Sequence, residues 1–307
     1  MIKAYVGVTD RQWFDLLRSQ PNLDEVNFWQ PSGARNFQAI RAGELFLFKL
    51  HRPDDFIVGG GIFAHFSLLP ISLAWEAFQV GNGARDLFEM RTRVEKYRRA
   101  QPSAHEDYTI GCILLEQPFF LPREQWIPIP NDWSPNIVQG KTYDLTAEPG
   151  RTLWNELQTK RSVSLESSFV REVTAAVGEP VLIRPRLGQG AFRILVTDGY
   201  ERRCAFTGER TLPVLDAAHI RPFSEIKEHR PDNGLLLRKD LHALFDRGYM
   251  TVTPKLHIEV SKRIKEEFDN GREYYRLHGQ EMRPPAARHM FPSSDSLVWH
   301  NEKMFKS

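Results

Sequence analysis

The stretch "LDAAHIRPFSEIKEHRPDNGLLLRKDLHALFD", residues 215–246, decides how the chain is read. An apolar run ends in His219. Asn233 opens a second apolar run, and His242 follows on a segment patterned as a helix. "PVLDAAHI" reads as a strand and "NGLLL" as a turn leading into a short strand. "RKDLHALFDRG" reads as a helix that Gly248 stops. A strand–strand–helix hairpin of this kind gathers such positions at its open end. A hydrophobic core has no use for two imidazoles and a carboxamide in this order.

The residue types suit phosphodiester hydrolysis. The attacking water has a free pKa of about 15.7 and must lose a proton. A neutral histidine, with a pKa near ~6.5, is a suitable base at cellular pH. His219 is the candidate base, and Asn233 can hold it through backbone or imidazole contacts. The departing 3′ oxygen gathers charge that a divalent cation can stabilise. His242 can supply a ligand, and Asp246 stands one turn later on the same helix face. Asp216 offers a further carboxylate from the first strand. Arg193, Arg221, Arg238 and Lys239 are candidate phosphate contacts, with Arg221 foremost.

His219, Asn233 and His242, set in "AAHIRPF", "NGLLL" and "DLHALFDRG", resemble the HNH endonuclease family of ββα-metal nucleases. The likeness extends upstream through "GQGAFR" and "RRCAFTGE" and covers roughly residues 184–265. It implies that His219 is the general base, that Asn233 positions it and that His242 sits at the metal. It implies one divalent ion, Mg²⁺ or Mn²⁺, with double-stranded DNA as substrate. Two positions depart from the pattern. Ala218 stands where many members carry a first metal ligand, which leaves the ligand set open, with Asp216 or Asp246 and water as the candidates to compensate. Thr207 stands where some relatives have the second cysteine of a zinc pair, so no structural zinc is expected.

The N-terminal half contains "EVNFWQPSGARNFQAIRAGELFLFKLHRPDDFIVGGGIFAHF", residues 25–66. Its order is an aromatic strand end, a Ser/Gly loop, a short helix, a turn, an apolar strand and a Gly-rich strand. This resembles the EVE-like branch of the PUA superfamily over about residues 5–130. The resemblance implies a pocket that takes one modified or flipped base between aromatic walls. Stacking is worth ~1–3 kcal/mol per base. Trp29 is the leading wall residue, with Phe63, Phe66 and Trp75 for the second wall. Asn27 and Ser32 are candidates for the base edge, and Arg35 and Lys49 for flanking phosphates. Trp126 and Trp133 are expected to pin a Pro-rich wrapping segment. The glycines at 59–61 are expected to allow close backbone packing.

Composition sets the outer bounds. The 307 residues, 41% hydrophobic, suffice for two domains, and the net charge of +2 neither demands nor excludes nucleic acid. Cys112 and Cys204 form no CxxC pair, and no disulfide framework is expected. The start lacks signal-peptide features, no apolar run approaches a membrane span, and a cytoplasmic setting is expected.

The expected fold is α+β: an N-terminal PUA/EVE-like mixed β-barrel with small helices, then a C-terminal ββα-metal HNH nuclease domain. The expected boundaries are 1–145 for the sensing domain, 146–183 for a linker with a helix, 184–285 for the nuclease and 286–307 for a loosely attached Pro/Ser-rich tail. The whole reads as a modification-dependent DNA endonuclease that senses a modified base, with modified cytosine foremost, and restricts foreign DNA. Cutting both strands suggests a homodimer. Two rivals remain: an HNH nuclease that senses phosphorothioate or DNA structure, and a DNA-binding protein whose nuclease fold has lost its metal.

Overall fold

The computed structural model describes residues 2–34, 36–98, 102–103, 105–162, 182 and 186–307. It divides into two compact units, Met1–Gly188 and Gln189–Ser307.

The first unit is built on a mixed sheet of seven strands among the described residues. In chain order the strands are β1 (Lys3–Thr9), β2 (Glu25–Gln30), β3 (Leu45–Leu50), β4 (Phe56–Pro70), β5 (Thr109–Phe120), β6 (Ile127–Pro128) and β7 (Gly140–Asp144). The hydrogen-bonded path runs β2-β5-β4-β3-β1-β7, with β6 on β4. Among the described residues, β1–β3 is the one parallel pair. Among these residues the path has β2 at one end and β7 at the other, the mixed sheet of the expected α+β fold.

Helix α1 (Arg11–Arg18) starts where Asp10 accepts a bond from the Trp13 amide at 2.8 Å. It buries Trp13, Phe14 and Leu17, the apolar stripe of "RQWFDLLR". Trp13 meets Phe28 and Phe48 edge-on in a core rich in phenylalanine. Helices α2 (Ile71–Phe78) and α3 (Leu87–Lys96) follow β4. The glycines of β4 permit close approach: a Cβ on Gly59 would run into the Phe119 carbonyl, and one on Gly60 into the Phe46 carbonyl. Trp126 and Trp133 are buried in the same core. Part of the segment expected to wrap as coil pairs as β6. Helix α4 (Gly150–Ser162) buries Leu153, Trp154 and Leu157 in this core, so its first part is packed structure. The rest of the expected linker, 163–181 and 183–185, lies outside the described residues.

The second unit contains α5 (Gln189–Gly199), β8 (Leu215–His219), α6 (Phe223–Ile226), β9 (Gly234–Arg238) and α7 (Lys239–Asp246). Strands β8 and β9 pair antiparallel, with His219 opposite Gly234 and Asp216 opposite Leu237. Gly248, at φ +74°, closes α7. "YMTVTPKLHIEV" folds back on itself as β10 (Met250–Val252) and β11 (Ile258–Val260) around Thr253–His257. Short helices α8 (Arg263–Phe268) and α9 (Arg272–Tyr275) follow.

The tail corrects an expectation. Its last part forms α10 (Ser294–Lys303), and Leu297 and His300 are buried. Asn301 donates to the Val252 carbonyl at 2.8 Å, and the Lys306 amide donates to the Gly248 carbonyl at 2.8 Å. Proline and serine make this segment look loose in sequence, but Leu297 joins the unit's core. No described helix is long and apolar enough to cross a membrane.

Candidate active site

Strands β8 and β9 lie against α7, and the three elements bring the chemistry-bearing side chains to one cleft of about 500 Å³. Asp216, His219, His242 and Asp246 line it, together with Arg193 and Phe192 from α5. Ala218 is fully buried. Asp216 lies two residues earlier, on the same face of β8 by strand alternation. Its carboxylate reaches His242 on α7.

His242 stands between two carboxylates. Its Nδ1 is 3.3 Å from Asp216 Oδ2, and its Nε2 is 3.3 Å from Asp246 Oδ2. Arg193 Nε lies 3.4 Å from the other Asp216 oxygen. Burial works against charge on His242, but the two carboxylates prevail and raise its pKa to about 9. Burial likewise pulls Asp216 upward, yet the bond from His242 and the charge of Arg193 leave it below its usual value.

His219 has the opposite environment. Its ring stacks on Phe192, with centroids 4.1 Å apart and planes within 10°. Its Nε2 lies 3.0 Å from Nδ1 of His229. Burial first, then the nearby His229 and His242, lower its pKa to about 4. It is therefore neutral, with a lone pair to offer, at ordinary pH. Asn233, 1% exposed, bonds to the backbone. Its Oδ1 accepts from the Arg221 amide at 3.0 Å, and its Nδ2 donates to the Arg221 carbonyl at 2.8 Å. The Ile220 amide donates to the Asn233 carbonyl at 2.9 Å. Asn233 thus clamps the backbone immediately after His219.

Among the described residues, no three His, Cys, Asp or Glu side chains already surround one point as a ligand shell. The reason is local: the carboxylates occupy opposite nitrogens of His242. The donor set still fits a divalent cation. Two carboxylates and an imidazole suit Mg²⁺ or Mn²⁺, or a borderline transition ion. Binding would displace the His242 proton, which now supplies the positive charge between the carboxylates.

The expected phosphate contacts separate. Arg193 lines the cleft, whereas Arg221 lies over the Trp299 ring, 5.4 Å from its centroid. Arg238 is paired along one edge of its guanidinium with Asp240, which accepts from Nε at 3.0 Å and from Nη2 at 2.6 Å. Lys239 is exposed at the start of α7. His229 was not singled out from sequence. A loop histidine outside any periodic run leaves no signal there.

The expected base pocket does not assemble as drawn. Trp29 is in register with Cys112 and Ser67, while Phe66 is in register with Ile113 and Phe28. Successive strand residues face opposite ways, so Trp29 and Phe66 stand on opposite faces of the sheet. Phe63, 6% exposed, packs edge-on against Phe37 in the core. Asn27 is fully buried and donates to Asn82 Oδ1 at 2.9 Å, away from any base edge. Lys49, 3% exposed, pairs with Asp55 and is not free for phosphate. Trp75 is half-buried on α2, and Ser32 is exposed, its Oγ accepting from the Ala34 amide. Arg35 lies outside the described residues. Trp29 instead neighbours Tyr97 at 6.4 Å, and Tyr97 lies parallel to His51 at 6.2 Å. The Trp29 indole N–H donates to the Asn82 carbonyl at 3.0 Å.

Comparison with known proteins agrees with the geometry of the cleft. Residues 204–253 match the family model described as HNH endonuclease. No curated protein matches the sequence. Solved structures similar to the chain include an ASCH protein from Zymomonas mobilis, at 12% identity over 50% of this chain and 94% of that one, with a TM-score of 0.33. They also include the modification-dependent restriction endonuclease TagI, at 12% identity over 97% of this chain and 81% of that one, with a TM-score of 0.28. Residues 204–253, which contain β8, β9, α7 and four of the cleft's ionisable side chains, form an HNH endonuclease domain.

Proposed function

We propose that the chain is a modification-dependent DNA endonuclease in which His219 is the general base. The observation that carries the catalytic part is the convergence of a neutral His219 and the Asp216–His242–Asp246 cluster on one cleft of the HNH domain. His219 takes a proton from water, and the water oxygen attacks phosphorus. Asn233 keeps the His219 backbone in place through Arg221. A divalent ion held by Asp216, His242 and Asp246 would supply positive charge to the scissile phosphate and the departing 3′ oxygen. Arg193, already at the cleft, is the best-placed phosphate contact.

The sensing part rests on the N-terminal unit. Its resemblance to the EVE-like branch supports a modified or flipped base as ligand, and modified cytosine is the foremost candidate. The Trp29–Tyr97–His51 cluster supplies aromatic faces on which a base removed from the stack can lie. Cutting both strands in one event would take two clefts, which favours a homodimer on the DNA.

The test is one DNA prepared with cytosine, 5-methylcytosine or 5-hydroxymethylcytosine and digested under the same conditions. Faster cleavage of a modified form supports the reading. Equal cleavage of all three would remove base sensing while leaving the nuclease.

A further inference from the structure

The catalytic scheme leaves one histidine of the site without a role. His229 lies in the loop between α6 and β9, and its Nδ1 is 3.0 Å from Nε2 of His219. Two phenyl rings hold the pair. Phe192 stacks on His219, and Phe223 stacks on His229 with centroids 4.4 Å apart and planes within 17°. Each stack limits tilting of its imidazole, and the nitrogen–nitrogen contact limits rotation within the plane.

Resting on the assignment of His219 as base, we infer that His229 is its positioning residue and fixes which His219 nitrogen receives the proton. The contact shares one N–H between two nitrogens, so one ring donates and the other accepts. If His229 donated, its proton would occupy the Nε2 lone pair of His219. The neutral His219 would then carry its own proton on Nδ1, and no lone pair would remain for water. If His229 accepts, His219 carries its proton on Nε2 and keeps the Nδ1 lone pair. Only this second arrangement makes a base. In it, Nδ1 takes the proton from water, and the water oxygen keeps the electron pair for attack on phosphorus. The imidazolium that results still donates from Nε2 to His229. The role matches that of the third member of a hydrolase triad, with a neutral imidazole in place of the carboxylate.

The test uses the full chain and supercoiled plasmid DNA with Mn²⁺, read as nicking under single-turnover conditions. His229→Phe keeps a ring against Phe223 but cannot accept a hydrogen bond. It is expected to lower the cleavage rate by about 10- to 100-fold, with the half-saturating DNA concentration unchanged. His229→Gln offers an amide oxygen and is expected to recover much of the loss. Free imidazole added to His229→Ala is expected to raise the rate, and thermal melting checks that each variant is folded. A His229→Phe protein that cuts at the parental rate, while His219→Ala is inactive, overturns the inference and leaves the base in place. A slow His229→Phe protein that neither glutamine nor imidazole improves assigns His229 a packing role and also overturns it. Parental cutting by His219→Ala removes the base assignment and the inference with it.

Discussion

The Nδ1 atom of His242 stands 3.3 Å from the Asp216 carboxylate, joining helix α7 to strand β8 within the lining of the cleft. The same ring meets Asp246 through its other nitrogen. Replacing Asp216 or Asp246 with asparagine removes an anionic oxygen donor while keeping the shape. Each change is expected to weaken Mn²⁺ binding by at least the ~10- to 100-fold that outer-shell changes cost. Titration calorimetry with Mn²⁺ on the parent and each variant measures this. Unchanged affinity in both variants would remove the cluster as the metal site.

Asn233 is buried, and its carboxamide serves both polar groups of the Arg221 backbone. Asn233→Ala leaves that amide and carbonyl without their partner. The expected destabilisation is about 1–3 kcal/mol, read from denaturant unfolding. Cleavage should fall as well, because the backbone following His219 is released. An Asn233→Ala protein of parental stability and rate would refute the clamp.

His300 gives stability a pH dependence. It is 2% exposed, and its Nε2 donates to the Phe245 carbonyl while its Nδ1 accepts from Thr251. Burial holds its pKa down at about 4. In the unfolded chain it titrates near ~6.5, so between these values the unfolded state binds more protons. The stability contribution is present in full above pH ~6.5 and falls away as pH drops toward 4, by up to about 3 kcal/mol. Urea unfolding at several pH values is expected to give a flatter acid slope for His300→Phe than for the parent. Identical slopes would contradict this role.

Tyr97 is 41% exposed beside Trp29 and His51. Tyr97→Ala is therefore expected to leave the fold intact. On the sensing account it lowers the preference for modified over plain DNA, by about the 1–3 kcal/mol of one stacked face. Competition binding with the two DNA forms measures the ratio. An unchanged ratio would place the sensor elsewhere.

The nuclease hairpin was legible because its information is local. His219, Asn233 and His242 lie on adjoining short elements, and the turn and cap residues around them set the geometry. The placement of the expected N-terminal wall residues was not, because it depends on long-range register. The pairing of Trp29 with Cys112 and of Phe66 with Ile113 decides which face each ring takes. Nothing near Trp29 or Phe66 in the chain encodes that choice. Asn27 was misread for a related reason: its partner Asn82 comes from a distant turn. The tail was misread because its prolines and serines obscure Leu297 and His300, which are buried in the second unit.

The most direct test of the account compares nicking of plasmid DNA by the parent and by His219→Ala, each with Mn²⁺ and with a chelator. The account predicts cutting by the parent only with the metal, and a loss of at least ~100-fold in the variant. Equal cutting by both proteins, or undiminished cutting by the parent in chelator, would contradict it.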